Sequence, residues 1–218
     1  MAWAQNTSEA QSQSRTDVLR ASPPMFESRF LDALSRVHPA VPVIIFGPAI
    51  ALLTAWSLSR VSVAATIGLA AGGYAIWTLF EYWLHRIVFH FEPEHGFGAR
   101  MHWIIHGVHH EHPNDPLRLV MPPAVSVPLG AIVFGLLYLA FAQKHAAGLG
   151  AGFFAGYLAY DMIHYYVHHF TPRNRLTRML RERHMRHHFQ DDTKGFGISA
   201  PYWDEVFGTS TRTRRSSH

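Results

Sequence analysis

Four stretches of this chain, at about 40–59, 61–80, 122–142 and 146–163, are almost free of charge, and they constrain its fold more than any other feature. At 1.5 Å per residue, about twenty helical residues span the ~30 Å hydrocarbon layer of a bilayer. Only Arg60 parts the first two stretches, and Gln143, Lys144 and His145 lie between the last two, so each pair reads as a helical hairpin. The fourth is short and glycine-rich, and its Gly148, Gly150, Gly152 and Gly156 point to close packing against other helices. The expected architecture is an all-α integral membrane protein with four transmembrane helices in two hairpins and a helical cap on one side. An even number of crossings puts both termini and the 81–121 connection on that side. Of the 19 Lys and Arg residues, only Arg60 and Lys144 fall in the far turns, so the cap side and both termini are expected to be cytoplasmic. This placement accounts for the net charge of +4 without invoking nucleic acid.

Ahead of the spans, residues 1–24 are rich in Ser, Gln and Thr with no apolar leader core, and are expected to form a disordered polar tail. Residues 25–37 place Phe26, Phe30, Leu34 and Val37 on one helical stripe beside charged neighbours. An amphipathic helix lying on the membrane, or packed on the protein, fits that pattern. The membrane domain then runs over 38–218.

The chemistry is concentrated in histidine. Residues 106–110 and 184–188 both read HxxHH, giving His106, His109, His110 and His184, His187, His188. Positions i, i+3 and i+4 share a helical face, so one turn can aim three imidazoles at one point. His164 and His168 are four apart and also share a face, whereas His85 and His90 are five apart and need a helix end or bend near His90. His38, His95, His112, His145, His169 and His218 are expected to be bystanders, and His102 either a ligand or a support for one. Ten imidazoles gathered on one membrane face would be mutually unfavourable without cations, and ten are enough for two ions. Without cysteine, thiolate ligation is excluded, and imidazole alone suits iron, copper or zinc. Two redox metals beside a bilayer suggest oxygen activation on a long apolar substrate. A shared site requires the two triplets to lie within about 10 Å of each other.

Four segments together carry a family resemblance: EYWLHRIVFH, HWIIHGVHHEHPNDPLRLVMPP, YLAYDMIHYYVHH and RHMRHHFQDDTKGFGIS. Through them the chain resembles the fatty acid hydroxylase branch of the membrane-bound, histidine-rich di-iron superfamily, and within it the fatty acid 2-hydroxylases. The resemblance covers roughly 73–207 and makes 38–218 a membrane hydroxylase domain. It implies a dinuclear site of two iron ions, replaceable by zinc in purified material, with O2 as co-substrate. It carries the family's ligands onto His85, His90, His106, His109, His110, His164, His168, His184, His187 and His188. Tyr160 and Asp161 become candidate catalytic residues, with Asp161 and Glu81 placed to orient imidazoles. Asn114, Asp115 and Arg118 are candidates for gripping a lipid headgroup, or for simple loop capping. Only a short polar stretch precedes the first span where relatives often carry a fused haem domain. Electrons are therefore expected from a separate donor, a cytochrome b-type protein or a ferredoxin with its reductase. The expected reaction is O2-dependent 2-hydroxylation of a fatty acid or of a lipid's acyl chain. The alternatives are a sterol or carotenoid hydroxylase, a desaturase, or a membrane metal-binding or transport protein.

Overall fold

A computed structural model describes residues 14–211. It is all-helical: α1 (Arg15–Arg20), α2 (Arg29–Leu34), α3 (Ala40–Leu58), α4 (Val63–Trp83), α5 (Gly96–His102), α6 (Val108–Glu111), α7 (Pro123–Ala140), α8 (Gln143–His169), α9 (Arg175–Phe189) and α10 (Tyr202–Val206). Two π-helical segments, Leu84–Phe89 and Trp103–Gly107, continue α4 and α5. Among the described residues, three helices are long and apolar enough to cross a membrane: α3, α4 with its π-helical continuation to Phe89, and α7.

The fourth stretch becomes α8, a 27-residue helix that runs unbroken through the expected span end to His169. It is the axis of the bundle, packed against α3, α4 and α7. Its glycines permit backbone contact. A Cβ on Gly152 would lie 1.9 Å from the Ala70 carbonyl oxygen, and one on Gly73 would lie 1.9 Å from that of Leu149. Phe46, Trp77, Phe153, Phe154 and Tyr157 fill the space around this crossing, with Phe46 edge-on to Tyr157 at 4.7 Å and Trp77 edge-on to Phe153 at 5.2 Å. In lipid, such close contact replaces the hydrophobic drive that water would supply.

The N-terminal expectations need correction. Residues 1–13 of the expected tail lie outside the described residues, but 15–20 form α1, because Ser14 and Asp17 make a reciprocal capping box. Residues 18–22 then dock on the connection after α6: Asn114 donates its backbone N–H to the Leu19 carbonyl at 2.9 Å, and the Ser22 hydroxyl donates to Asp115 at 2.5 Å. In 25–37 only Arg29–Leu34 is helical, started by Ser28 as N-cap. Met25 and Val37 are buried, while Phe30 is 71% exposed.

Candidate metal centre

The π-helical segment after α4 solves the spacing problem of His85 and His90. A π-turn bonds residue i+5 back to residue i, and the His90 N–H donates to the His85 carbonyl at 3.2 Å. Residues five apart thus stack on one face, and the helix ends where the spacing demanded it: the π-helical segment stops at Phe89 with His90 as its C-cap.

All ten candidate ligands come together, in two adjacent groups. His85, His90, His106, His110 and His187 form one, and His109, His164, His168, His184 and His188 the other; within each, the donor atoms lie within 4.8 Å of one another. The triplets therefore do not aim at one point. Each i, i+4 pair (His106 with His110, His184 with His188) serves one group, and the intervening histidine (His109, His187) serves the opposite one. The reason is angular: on a helix i and i+4 diverge by ~40°, whereas i+3 and i+4 diverge by ~100°. The triplets meet well inside the distance a shared centre demands, with the His110 and His188 rings 4.3 Å apart.

The donor set fits metal ions. Nε2 atoms approach each other at 3.2 Å (His85 and His106), 3.0 Å (His106 and His110), 3.1 Å (His90 and His187), 3.1 Å (His109 and His164), 2.8 Å (His168 and His184) and 3.1 Å (His184 and His188). A neutral imidazole has one N–H and one lone pair. His85 Nδ1 donates to the Phe196 carbonyl at 2.8 Å, and His187 Nδ1 to the Lys194 carbonyl at 2.7 Å. Both rings therefore present a bare Nε2 lone pair to the centre, and His106 Nε2 has two imidazole neighbours for at most one proton. Converging lone pairs of this kind are stable around a cation. Burial, reinforced by neighbouring imidazoles, pushes His109 down to about 3 and His110 to about 2, so these rings stay neutral and ready to ligate.

The backbone carbonyls that orient His85 and His187 belong to a loop that motif reading singled out only as GFGIS. Gly195 starts it at φ +80°, in the left-handed region that suits glycine. The Asp204 carboxylate then accepts the Phe196 and Gly197 N–H groups, each at 2.9 Å, and the Thr209 hydroxyl at 2.8 Å. A buried carboxylate on α10 thus aims the Phe196 carbonyl at His85. No motif marks Asp204.

Two expected roles differ. Glu81 orients no imidazole; it accepts the Ser199 N–H at 2.7 Å and the Ser199 hydroxyl, fastening the GFGIS loop to α4. Asp161 does not orient one either: Oδ1 accepts the Met121 N–H at 3.4 Å, and the carboxylate lies beside the Tyr157 hydroxyl. Asn114, Asp115 and Arg118 take the loop-capping role that was the alternative for them: Asp115 accepts the Leu117 N–H at 3.0 Å, and Arg118 pairs with Asp32 at 2.8 Å. His102 lies outside both groups, with Glu92 3.7 Å from both His102 and His90. His38, His95, His112, His145 and His169 also lie outside them, and His218 lies outside the described residues.

A cavity of about 220 Å³ opens against both groups, at His106, His109 and His164. Tyr160 and Asp161 line it beside His164, and its other walls are mainly apolar, among them Phe89, Ile104, Leu119 and Val125.

A bundle of long apolar helices carrying paired five-imidazole groups over an apolar cavity defines a helical membrane protein with a histidine-built metal centre. Residues 70–209 match the sequence model of the fatty acid hydroxylase family, and the chain belongs to that family of hydroxylating enzymes. It is 39% identical to a dihydroceramide fatty acyl 2-hydroxylase of Arabidopsis thaliana over 189 residues, covering 86% of this chain and 79% of that one. It is 36% identical to a ceramide very long chain fatty acid hydroxylase of Saccharomyces cerevisiae, over 87% of this chain and 50% of that one. The solved structure of full-length Scs7p, in which only the hydroxylase domain is visible, superposes with a TM-score of 0.80 at 34% identity, covering 84% of this chain and 70% of that one.

Proposed function

We propose that this protein 2-hydroxylates the fatty acyl chain of a membrane lipid, with an N-acyl sphingoid base as the favoured class. The observation that carries this reading is the apolar cavity that touches both five-imidazole groups. The ten histidines would hold two iron ions, five imidazoles each, leaving room for oxygen ligands. Bound iron supplies O2 activation: one oxygen atom enters the acyl chain as hydroxyl and the other leaves as water, with two electrons and two protons delivered by a separate donor protein.

The chain's own residues then decide which carbon reacts. The apolar walls hold the acyl chain and exclude water. Asp161 and Tyr160 lie in the cavity lining beside His164 and orient the polar end of the substrate. Holding the carbonyl end there places the neighbouring methylene at the centre, which is how position selects the product. α8 makes a fourth crossing beside α3, α4 and α7, so the centre and both termini lie on the cytoplasmic side, where soluble reductants reach it.

The test is expression in a host membrane that lacks 2-hydroxy lipids, followed by mass spectrometry of the released acyl chains. Two irons per chain and a 2-hydroxy acyl product are expected, and the product disappears in His109→Ala and His187→Ala. A new double bond, or a hydroxylated sterol or carotenoid ring, would overturn the assignment in favour of another branch of the superfamily.

A further inference from the structure

Part of the cavity wall comes from residues ahead of those that match the family model. Met25, Phe26, Leu31, Leu34 and Ser35 line it, and all precede the residues at 70–209 that match the family. They belong to a strap whose main tie to the body is a hub at Asp32. The Asp32 carboxylate accepts the Met25 N–H at 2.7 Å, Arg36 Nε at 3.1 Å and Arg118 Nη2 at 2.8 Å. Arg118 also reaches the Pro23 carbonyl, and the Val37 N–H donates to the Leu117 carbonyl at 2.6 Å. The inward side of the strap, apolar except for Ser35, lines the cavity, so its side chains are within reach of whatever fills it. Its outward side shows Phe30, together with the exposed parts of Leu31 and Leu34.

We infer that this strap is the selectivity wall of the acyl cavity, with Met25 and Leu34 setting its width and Asp32 acting as the positioning residue that holds them. The inference rests on the acyl-chain reading above. A width set by side chains is sensitive to single methylenes, each of which changes discrimination by about tenfold or more.

Two measurements test it. The first uses wild-type protein in membranes with a dihydroceramide whose N-acyl chain carries a diazirine; after irradiation, crosslinked peptides are mapped. Crosslinks to 25–35 are expected, and crosslinks confined to 104–125 overturn the inference. The second compares turnover of dihydroceramides with straight and methyl-branched N-acyl chains. Met25→Ala should raise kcat/KM for the branched chain relative to the straight one by about tenfold, and Leu34→Trp should lower it. Asp32→Asn should raise KM for both probes several-fold more than it lowers kcat, with Asp32→Glu restoring the wild-type value. An unchanged ratio in folded Met25→Ala overturns the inference, and if that variant does not fold, the wild-type crosslink map decides. Should no probe be hydroxylated while crosslinks still map to 25–35, the 2-hydroxylation reading falls and the wall assignment stands.

Discussion

Gly152→Ala should damage the metal centre from inside the membrane. The added Cβ would lie 1.9 Å from the Ala70 carbonyl oxygen and 2.6 Å from its carbon. Restoring an ordinary ~3.3 Å carbon–oxygen contact requires α4 and α8 to part by about 1.4 Å. No rotamer relieves the clash, because the obstacle is backbone. Overpacking of this kind costs about 1–3 kcal/mol, against at most ~1 kcal/mol gained from alanine's helix propensity. Gly68 on α4 has nothing within 4 Å of its Cβ position, so Gly68→Ala takes the gain without the clash. The two variants should therefore differ by about 1–3 kcal/mol, which at ~2–4 °C per kcal/mol for a chain of this size is a gap of several degrees in Tm.

The gap should reach the metal as well. α8 carries His164 and His168 of one group, α4 leads into His85 and His90 of the other, and α9 supplies ligands to both. Parting α4 from α8 therefore pulls α9 away from one group or the other, and ligand distances tolerate only about 0.2 Å. Thermal unfolding in detergent and metal content per chain, measured on both variants, check this. If Gly152→Ala matches Gly68→Ala in both Tm and metal, the backbone contact does not position the centre and the reasoning fails.

Three further outcomes follow from the site. His187→Ala and His90→Ala should each cost the same ion, so in excess metal their double variant binds at most one ion per chain, whereas His187→Ala with His188→Ala strikes both groups and should bind neither; elemental analysis distinguishes the patterns. Asp204→Ala frees the Phe196 and Gly197 N–H groups, lets the carbonyl that orients His85 wander, and should weaken metal binding by about 10–100-fold in chelator competition. In metal-stripped protein, His109 and His110 bind protons only near 3 and 2 while the unfolded chain binds them from about 6.5 downward, so the unfolded state gains protons first and Tm should fall as pH drops from 7 to 5; a flat profile over that range would contradict their burial as neutral rings.

The histidine content of the centre was legible because ligand spacing is a short-range property: His164 and His168 sit four apart on any α-helix. The pairing of His85 with His90 was legible only as a need for a helix end near His90, because a π-turn depends on how the hydrogen-bond ladder shifts under tertiary load and leaves no polarity pattern behind. Hydropathy marked α3, α4 and α7 clearly and α8 weakly. A helix surrounded by other helices can afford glycines, Tyr157 and Asp161 where a lipid-facing one cannot. At the N-terminus, the Ser14 and Asp17 capping box was present in the sequence, yet low-complexity composition outweighed it. The docking of Leu19 and Ser22 on 114–115 is a contact across more than ninety residues, which no local pattern encodes.

The division of each HxxHH between two groups gives the motif a consequence that three ligands on one ion would not have. α6 contributes His110 to one group and His109 to the other, while α9 contributes His187 to the first and His184 and His188 to the second. Neither group can reach five donors unless both helices are in place, so binding at one group preorganises the helices that complete the other. Two ions held this way should bind with positive cooperativity, because the first has already met much of the ordering cost of both helices. Titrating metal into the stripped protein should then yield mostly empty and doubly loaded chains at half saturation. An excess of singly loaded chains would mean that the helices are ordered without metal, by the membrane bundle alone.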